Sequence, residues 1–154
     1  MIINLEDLAN IRSQHINEKI VLTSGTFDLL HVGHLRYLEA VKSLGDIMVV
    51  LLSGDDRIRA RKGPTRPIIP ELDRAQILDA LKIVDYVFID PAMAAPDQID
   101  PVHAEIVDRL QPDLYATDGE DIRFFNIMDK SKLTILSRSD EPVSTTAIIE
   151  RTRD

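Results

Sequence analysis

Gly25-Thr26-Phe27-Asp28-Leu29-Leu30-His31-Val32-Gly33-His34 lies between two stretches of different periodicity. Before it runs Ile20-Val21-Leu22-Thr23-Ser24, an apolar, β-branched run that reads as a buried strand. After it come Leu35, Leu38, Val41 and Leu44, apolar at helical spacing and stopped by Gly45. Two imidazoles three residues apart therefore sit where a strand turns into a helix. Open α/β sheets bind ligands at that edge, and the N–H groups and dipole of a helix N-terminus attract phosphate there. Gly33, between the histidines, lets an anion approach the backbone closely. The segment reads as a nucleotide phosphate site.

Other readings of the same residues exist. A lone histidine near a helix start is ordinarily a surface residue or a partial cap. Two at i and i+3 share a helix face, which also suits a metal. A catalytic zinc needs three protein ligands, however, and His15 and His103 fall in other predicted elements of a chain without cysteine. No metal ligands are assigned on this basis.

Working outward, further strands are predicted at Ile47–Ser53, Tyr86–Ile89, Leu114–Thr117 and Leu133–Ser137. Helical stripes lie between them: Leu72, Ala75, Leu78 and Leu81 behind Pro70, and Val102, Ile106 and Leu110 behind Pro101. Alternating strands and helices imply parallel pairing with right-handed crossovers. The expected fold is α/β: a doubly wound, Rossmann-like sheet of five parallel strands with the site at their carboxyl edge. Residues 64–70 and 91–101 read as proline-punctuated loops rather than linkers, so residues 1–154 form one expected domain.

Composition narrows the function. A net charge of −8 argues against nucleic-acid binding, which leaves a basic footprint. The start of the chain lacks the basic and apolar regions of a signal peptide, and the run from Ile47 to Leu52 is too short to span a bilayer. Cytoplasm is the default expectation, with no membrane partner. The P-loop, dinucleotide, nucleophile-elbow and HExxH motifs are all missing.

Two weaker signals remain. Arg57, Arg59, Arg61, Lys62 and Arg66 put five cations within ten residues of an acidic chain, just after the second predicted strand. Most charge runs are solvated faces. This one is expected at the sheet edge of the histidines, on a Gly/Pro-bearing loop able to close over phosphates. Ser144-Thr145-Thr146 ahead of Ala147-Ile148-Ile149 reads as an ordinary N-cap or as a phosphate cradle.

Taken together, Gly25-Thr26-Phe27-Asp28 with His31-Val32-Gly33-His34 resembles the signature of the cytidylyltransferase-like (HxGH) nucleotidyltransferases. The resemblance covers nearly the whole chain: residues 62–67, Arg74, residues 84–87 and residues 144–149 follow in family order. It is greatest to the heptose 1-phosphate adenylyltransferases, with the glycerol-3-phosphate cytidylyltransferases next. It implies transfer of a nucleotidyl group from a nucleoside triphosphate to a phosphorylated small molecule, with release of pyrophosphate and with Mg²⁺ as cofactor. It further implies that His31 and His34 stabilise the transition state without covalent modification. Lys62 meets the phosphates, Arg66 and Arg74 serve the substrate phosphate, and Ser144, Thr145 and Thr146 bind the triphosphate tail.

By the same resemblance, Gly25, Thr26, Phe27, Asp28, Gly33, Thr117 and Asp118 belong to the nucleotide site. Asp28 either anchors its turn or takes part in Mg²⁺ binding through water. Two departures stand out. Heptose enzymes carry a lysine and paired glycines where this chain has Thr117-Asp118-Gly119-Glu120-Asp121, and residues 138–143 resemble a cytidylyltransferase motif with one residue extra. ATP and CTP both remain open, and so does a nucleotide sensor without chemistry. A homodimer is expected, since relatives commonly pair. The apolar N-terminal residues Ile2, Ile3, Leu5, Leu8 and Ile11 either face that partner or pack on the chain's own sheet.

Overall fold

The computed structural model describes residues 1–92, 101–119, 124–136 and 145–151. Among the described residues six strands form one sheet: β1 (Ile2–Ile3), β2 (Ile20–Gly25), β3 (Ile47–Ser53), β4 (Tyr86–Asp90), β5 (Leu114–Thr117) and β6 (Leu133–Ile135). All pair in parallel, in the order β1-β4-β3-β2-β5-β6. From β2 the chain winds outward through β3 to β4, then returns across the sheet to β5 and β6. The reversal point lies between β2 and β5. Crevices at such points, at the carboxyl ends of the strands, are where doubly wound sheets bind ligands.

The helices are α1 (Asp7–Gln14), α2 (Val32–Lys42), α3 (Asp55–Lys62), α4 (Glu71–Asp79), α5 (Pro101–Leu110) and α6 (Thr145–Arg151). β3 shows why the sheet is covered on both faces. Ile47, Val49 and Leu51 pack into one core with Leu8 and Ile11 of α1 and Ile106 and Leu110 of α5. Met48, Val50 and Leu52 pack into a second with Leu38 and Val41 of α2 and Ala75 and Leu78 of α4. Alternate residues of a strand face opposite sides, so an unbroken apolar run marks a strand buried on both.

Several expectations change. The sheet has six strands rather than five, because Ile2–Ile3 adds an edge strand on β4. Ile3, Leu8 and Ile11 are thereby buried in the chain's own core, and only Ile2 of that group is exposed. Of the two readings of this segment, packing on the chain's own sheet accounts for Ile3, Leu8 and Ile11. In α4, Leu72 is 64% exposed, and the inward positions are Arg74, Ala75 and Leu78. The basic run is mostly helix: α3 carries it through Lys62, and only residues 63–66 belong to a loop. β6 ends at Ile135, although the Leu136 N–H still bonds the Thr117 carbonyl at 2.8 Å; Ser137 lies outside the described residues.

Candidate active site

β2 ends at Gly25, where a Cβ would stand 2.6 Å from the Phe27 ring; the turn needs glycine there. Phe27 and Leu29 hold φ of 48° and 49°, a left-handed conformation that costs about 1–2 kcal/mol for a residue with a side chain. Both flank Asp28, whose buried carboxylate accepts from four directions. Arg66 bonds it through Nε at 2.9 Å and Nη2 at 2.8 Å, and the Ile68 and Ile69 N–H groups donate at 3.0 Å. Thr145 Oγ1, at the start of α6, donates to the Asp28 carbonyl at 2.7 Å. The turn is tied to both the α3–α4 connection and α6.

The histidines close the start of α2. His31 is its N-cap, in extended conformation, and its Nδ1 accepts from the Gly33 N–H at 3.1 Å. His34 Nδ1 accepts in turn from the His31 N–H at 3.3 Å. The two rings stack with centroids 3.9 Å apart, and Phe27 meets the His34 ring edge-on at 5.4 Å. This is a reciprocal capping box built from imidazoles instead of hydroxyl and carboxylate. It has a chemical consequence. When Nδ1 accepts, the proton of a neutral ring is on Nε2, so each ring presents Nε2–H as its donor. Two such donors at a helix N-terminus suit an anion with several oxygens.

Across the crevice, Ala116 of β5 pairs with Thr23 of β2, which sets residues 117–119 beside the β2 turn. Thr117 is buried and its Oγ1 accepts from the Gly119 N–H at 3.2 Å, while Asp118 is half-buried. Tyrosines brace the crevice floor: Tyr115 bonds Ser24 at 2.6 Å, and Tyr37 bonds Thr23 at 2.8 Å. Thr145 is half-buried and Thr146 exposed at the start of α6; Ser144 and residues 138–143 lie outside the described residues.

The five cations of the basic run separate. Arg57 is buried, Arg59 pairs with Asp56 at 2.7 Å, and Arg66 is held by Asp28. Arg61 and Lys62 are exposed in the last turn of α3, where cations also suit the helix dipole. Gly63 follows at φ 92° and turns the chain toward Arg66. Arg74 does not fit a substrate-phosphate role: it is 1% exposed, and its guanidinium is taken up by carbonyls and by Asp55. The sequence reading also passed over Asp90, which ends β4 and pairs with His103 of α5 at 3.1 Å, both buried. Its signal was an aspartate closing an apolar strand at the functional edge.

The Asp28 oxygens are engaged by the chain's own donors, which leaves that carboxylate poorly suited to ligate Mg²⁺ directly. Among the described residues no group of three or more acidic, His or Cys side chains is placed to hold a metal.

A doubly wound sheet whose reversal crevice holds a histidine-capped helix defines a Rossmann-like nucleotidyltransferase domain. The profile of the cytidylyltransferase-like family matches residues 22–151, and the chain belongs to that family. Relatives include bifunctional proteins HldE. That of Syntrophotalea carbinolica is 40% identical over 117 residues, covering 76% of this chain and 22% of that protein. That of Campylobacter curvus is 37% identical over 153 residues, covering 97% and 30%. The chain thus spans under a third of the length of these relatives. Among solved structures, a lipopolysaccharide core biosynthesis protein from Thermoplasma volcanium superposes with a TM-score of 0.60 at 28% identity, covering 80% of this chain and 99% of that one. A pantoate-beta-alanine ligase from Francisella tularensis superposes with a TM-score of 0.60 at 16% identity, covering 99% and 77%, and shares the fold.

Proposed function

We propose that this chain transfers a nucleotidyl group from ATP to a sugar phosphate such as heptose 1-phosphate and releases pyrophosphate. An oxygen of the acceptor phosphate forms a bond to the α-phosphorus as the bond to the bridging oxygen of the β-phosphate breaks. Negative charge gathers on the α-phosphoryl oxygens and on the departing pyrophosphate, so positioning and electrostatics carry the catalysis. The observation that carries this reading is the imidazole capping box. It commits both Nδ1 atoms as acceptors within the cap, which supports Nε2–H of His31 and His34 as the donors to those oxygens. Lys62 is proposed to meet the triphosphate and Thr145 and Thr146 its tail, with Gly25–Asp28, Gly33, Thr117 and Asp118 around the nucleotide. Mg²⁺ neutralises part of the triphosphate charge.

The likeness to the lipopolysaccharide core biosynthesis protein of Thermoplasma volcanium supports an acceptor from carbohydrate chemistry. CTP is the second donor to consider, because residues 138–143 resemble a cytidylyltransferase motif. The test is a pyrophosphate-release screen of ATP and CTP against sugar and polyol phosphates. Mg²⁺-dependent turnover of ATP with an aldose 1-phosphate is expected. Turnover of CTP with glycerol 3-phosphate alone would replace the substrate assignment, and nucleotide binding without turnover across the panel would make the chain a sensor.

A further inference from the structure

We infer that Arg74 is a positioning residue for nucleotidyl transfer, fixing from beneath the backbone that carries His31 and His34; this rests on the function proposed above. The Arg74 guanidinium is wholly buried and reaches four segments. Nε donates to the Ile69 carbonyl at 2.9 Å, and Nη1 donates to the Thr26 carbonyl at 2.6 Å and the Ser53 carbonyl at 3.0 Å. Nη2 bonds Asp55 Oδ1 at 2.6 Å. One side chain therefore joins the turn after β2, the end of β3, the start of α3 and the α3–α4 connection.

The joint is reciprocal. Residues 66–74 give N–H and guanidinium donors to Asp28, and Arg74 of the same stretch grips the carbonyl of Thr26, two residues earlier. Between the two grips lies Phe27 at φ 48°, with Leu29 at 49° just beyond. Left-handed backbone with side chains persists only where the surroundings over-determine it, and this double lacing supplies the determination. The turn runs directly into His31, and Asp55 opens the helix that ends in Lys62. A guanidinium presents its donors in a fixed planar fork, which the single ammonium of lysine cannot imitate toward four separated acceptors.

The test uses Arg74→Lys and Arg74→Met, with circular dichroism and thermal unfolding to establish which are folded. Two readouts follow: nitrogen–proton correlation spectra of the His31 and His34 rings without ligand, and steady-state kinetics. In a folded variant the ring signals shift, and kcat falls about 10²-fold with a smaller change in nucleotide KM, the scale expected when reacting groups are misplaced by about 1 Å. Parental ring signals or a parental kcat in a folded variant overturn the inference. If neither variant folds, Asp55→Asn withdraws the carboxylate while leaving Arg74 in place, and the same readouts decide. Should the parent release no pyrophosphate with any acceptor, the proposed function falls, and the ring signals alone decide for or against Arg74.

Discussion

At the scale of single residues, His31 and His34 combine two tasks that compete in most helix caps. Their Nδ1 atoms accept from N–H groups at the start of α2, and the proposed function assigns Nε2–H of each ring as the donor to the phosphates. Replacing either with Ala should lower kcat about 10²–10³-fold, the usual effect of losing one donor to developing charge, with a smaller rise in nucleotide KM. Asn at either position retains an N–H donor and should fall between parent and Ala. Steady-state kinetics on variants shown by circular dichroism to be folded makes the comparison. Paired imidazoles, Gly25 and Asp28 were legible because strand, turn and helix signals converge on them. Arg74 was not. A cation in a phosphate-binding neighbourhood reads as a ligand, whereas its carbonyl acceptors at Thr26, Ser53 and Ile69 leave no mark in the sequence.

Elements with a clear apolar run are legible in the sequence, and those set by pairing alone or rich in charge are not. β3 and β5 fall on their predicted bounds because each is an apolar run between polar breaks. β1 has two residues and exists only through its pairing with β4, so no local pattern announces it. α3 is highly polar, and its sole buried apolar side chain is Ile58, which explains why it looked like loop. The stripe Leu72, Ala75, Leu78 and Leu81 repeats every three residues and drifts off the buried face of α4 at Leu72.

Contacts at the opposite edge from the site carry a pH dependence of stability. His15, which caps the end of α1, bonds the Tyr86 hydroxyl at the start of β4 at 2.9 Å. Burial, then Asp85 and Glu18, raise the Tyr86 phenol above its ordinary pKa. The folded state then holds that proton more tightly than the unfolded chain. The resulting stability is complete below the ordinary phenol pKa of about 10 and is lost as pH rises through the folded value. Urea unfolding between those limits should show a decline that Tyr86→Phe flattens; an unchanged slope in the variant would remove Tyr86 from the explanation.

For the whole molecule, the β2–β5 pairing sets the Thr117 turn beside the turn that leads into the histidine-capped helix, and Thr145 at the start of α6 bonds that turn at the Asp28 carbonyl. Among the described residues no helix is long and apolar enough to cross a membrane. With Ile3, Leu8 and Ile11 packed in the chain's own core, the expected homodimer rests on resemblance. Light scattering should give about twice the 17.4 kDa chain mass, and a single-chain mass across working concentrations would remove the dimer. The most direct test of the account follows the products themselves by phosphorus NMR in a mixture of ATP, Mg²⁺ and an aldose 1-phosphate. The account predicts pyrophosphate and a diphosphate-linked nucleotide sugar appearing in equal amounts, at a rate that collapses in His31→Ala and His34→Ala. Nucleotide binding with no such product, or equal product formation by both folded histidine variants, would contradict it.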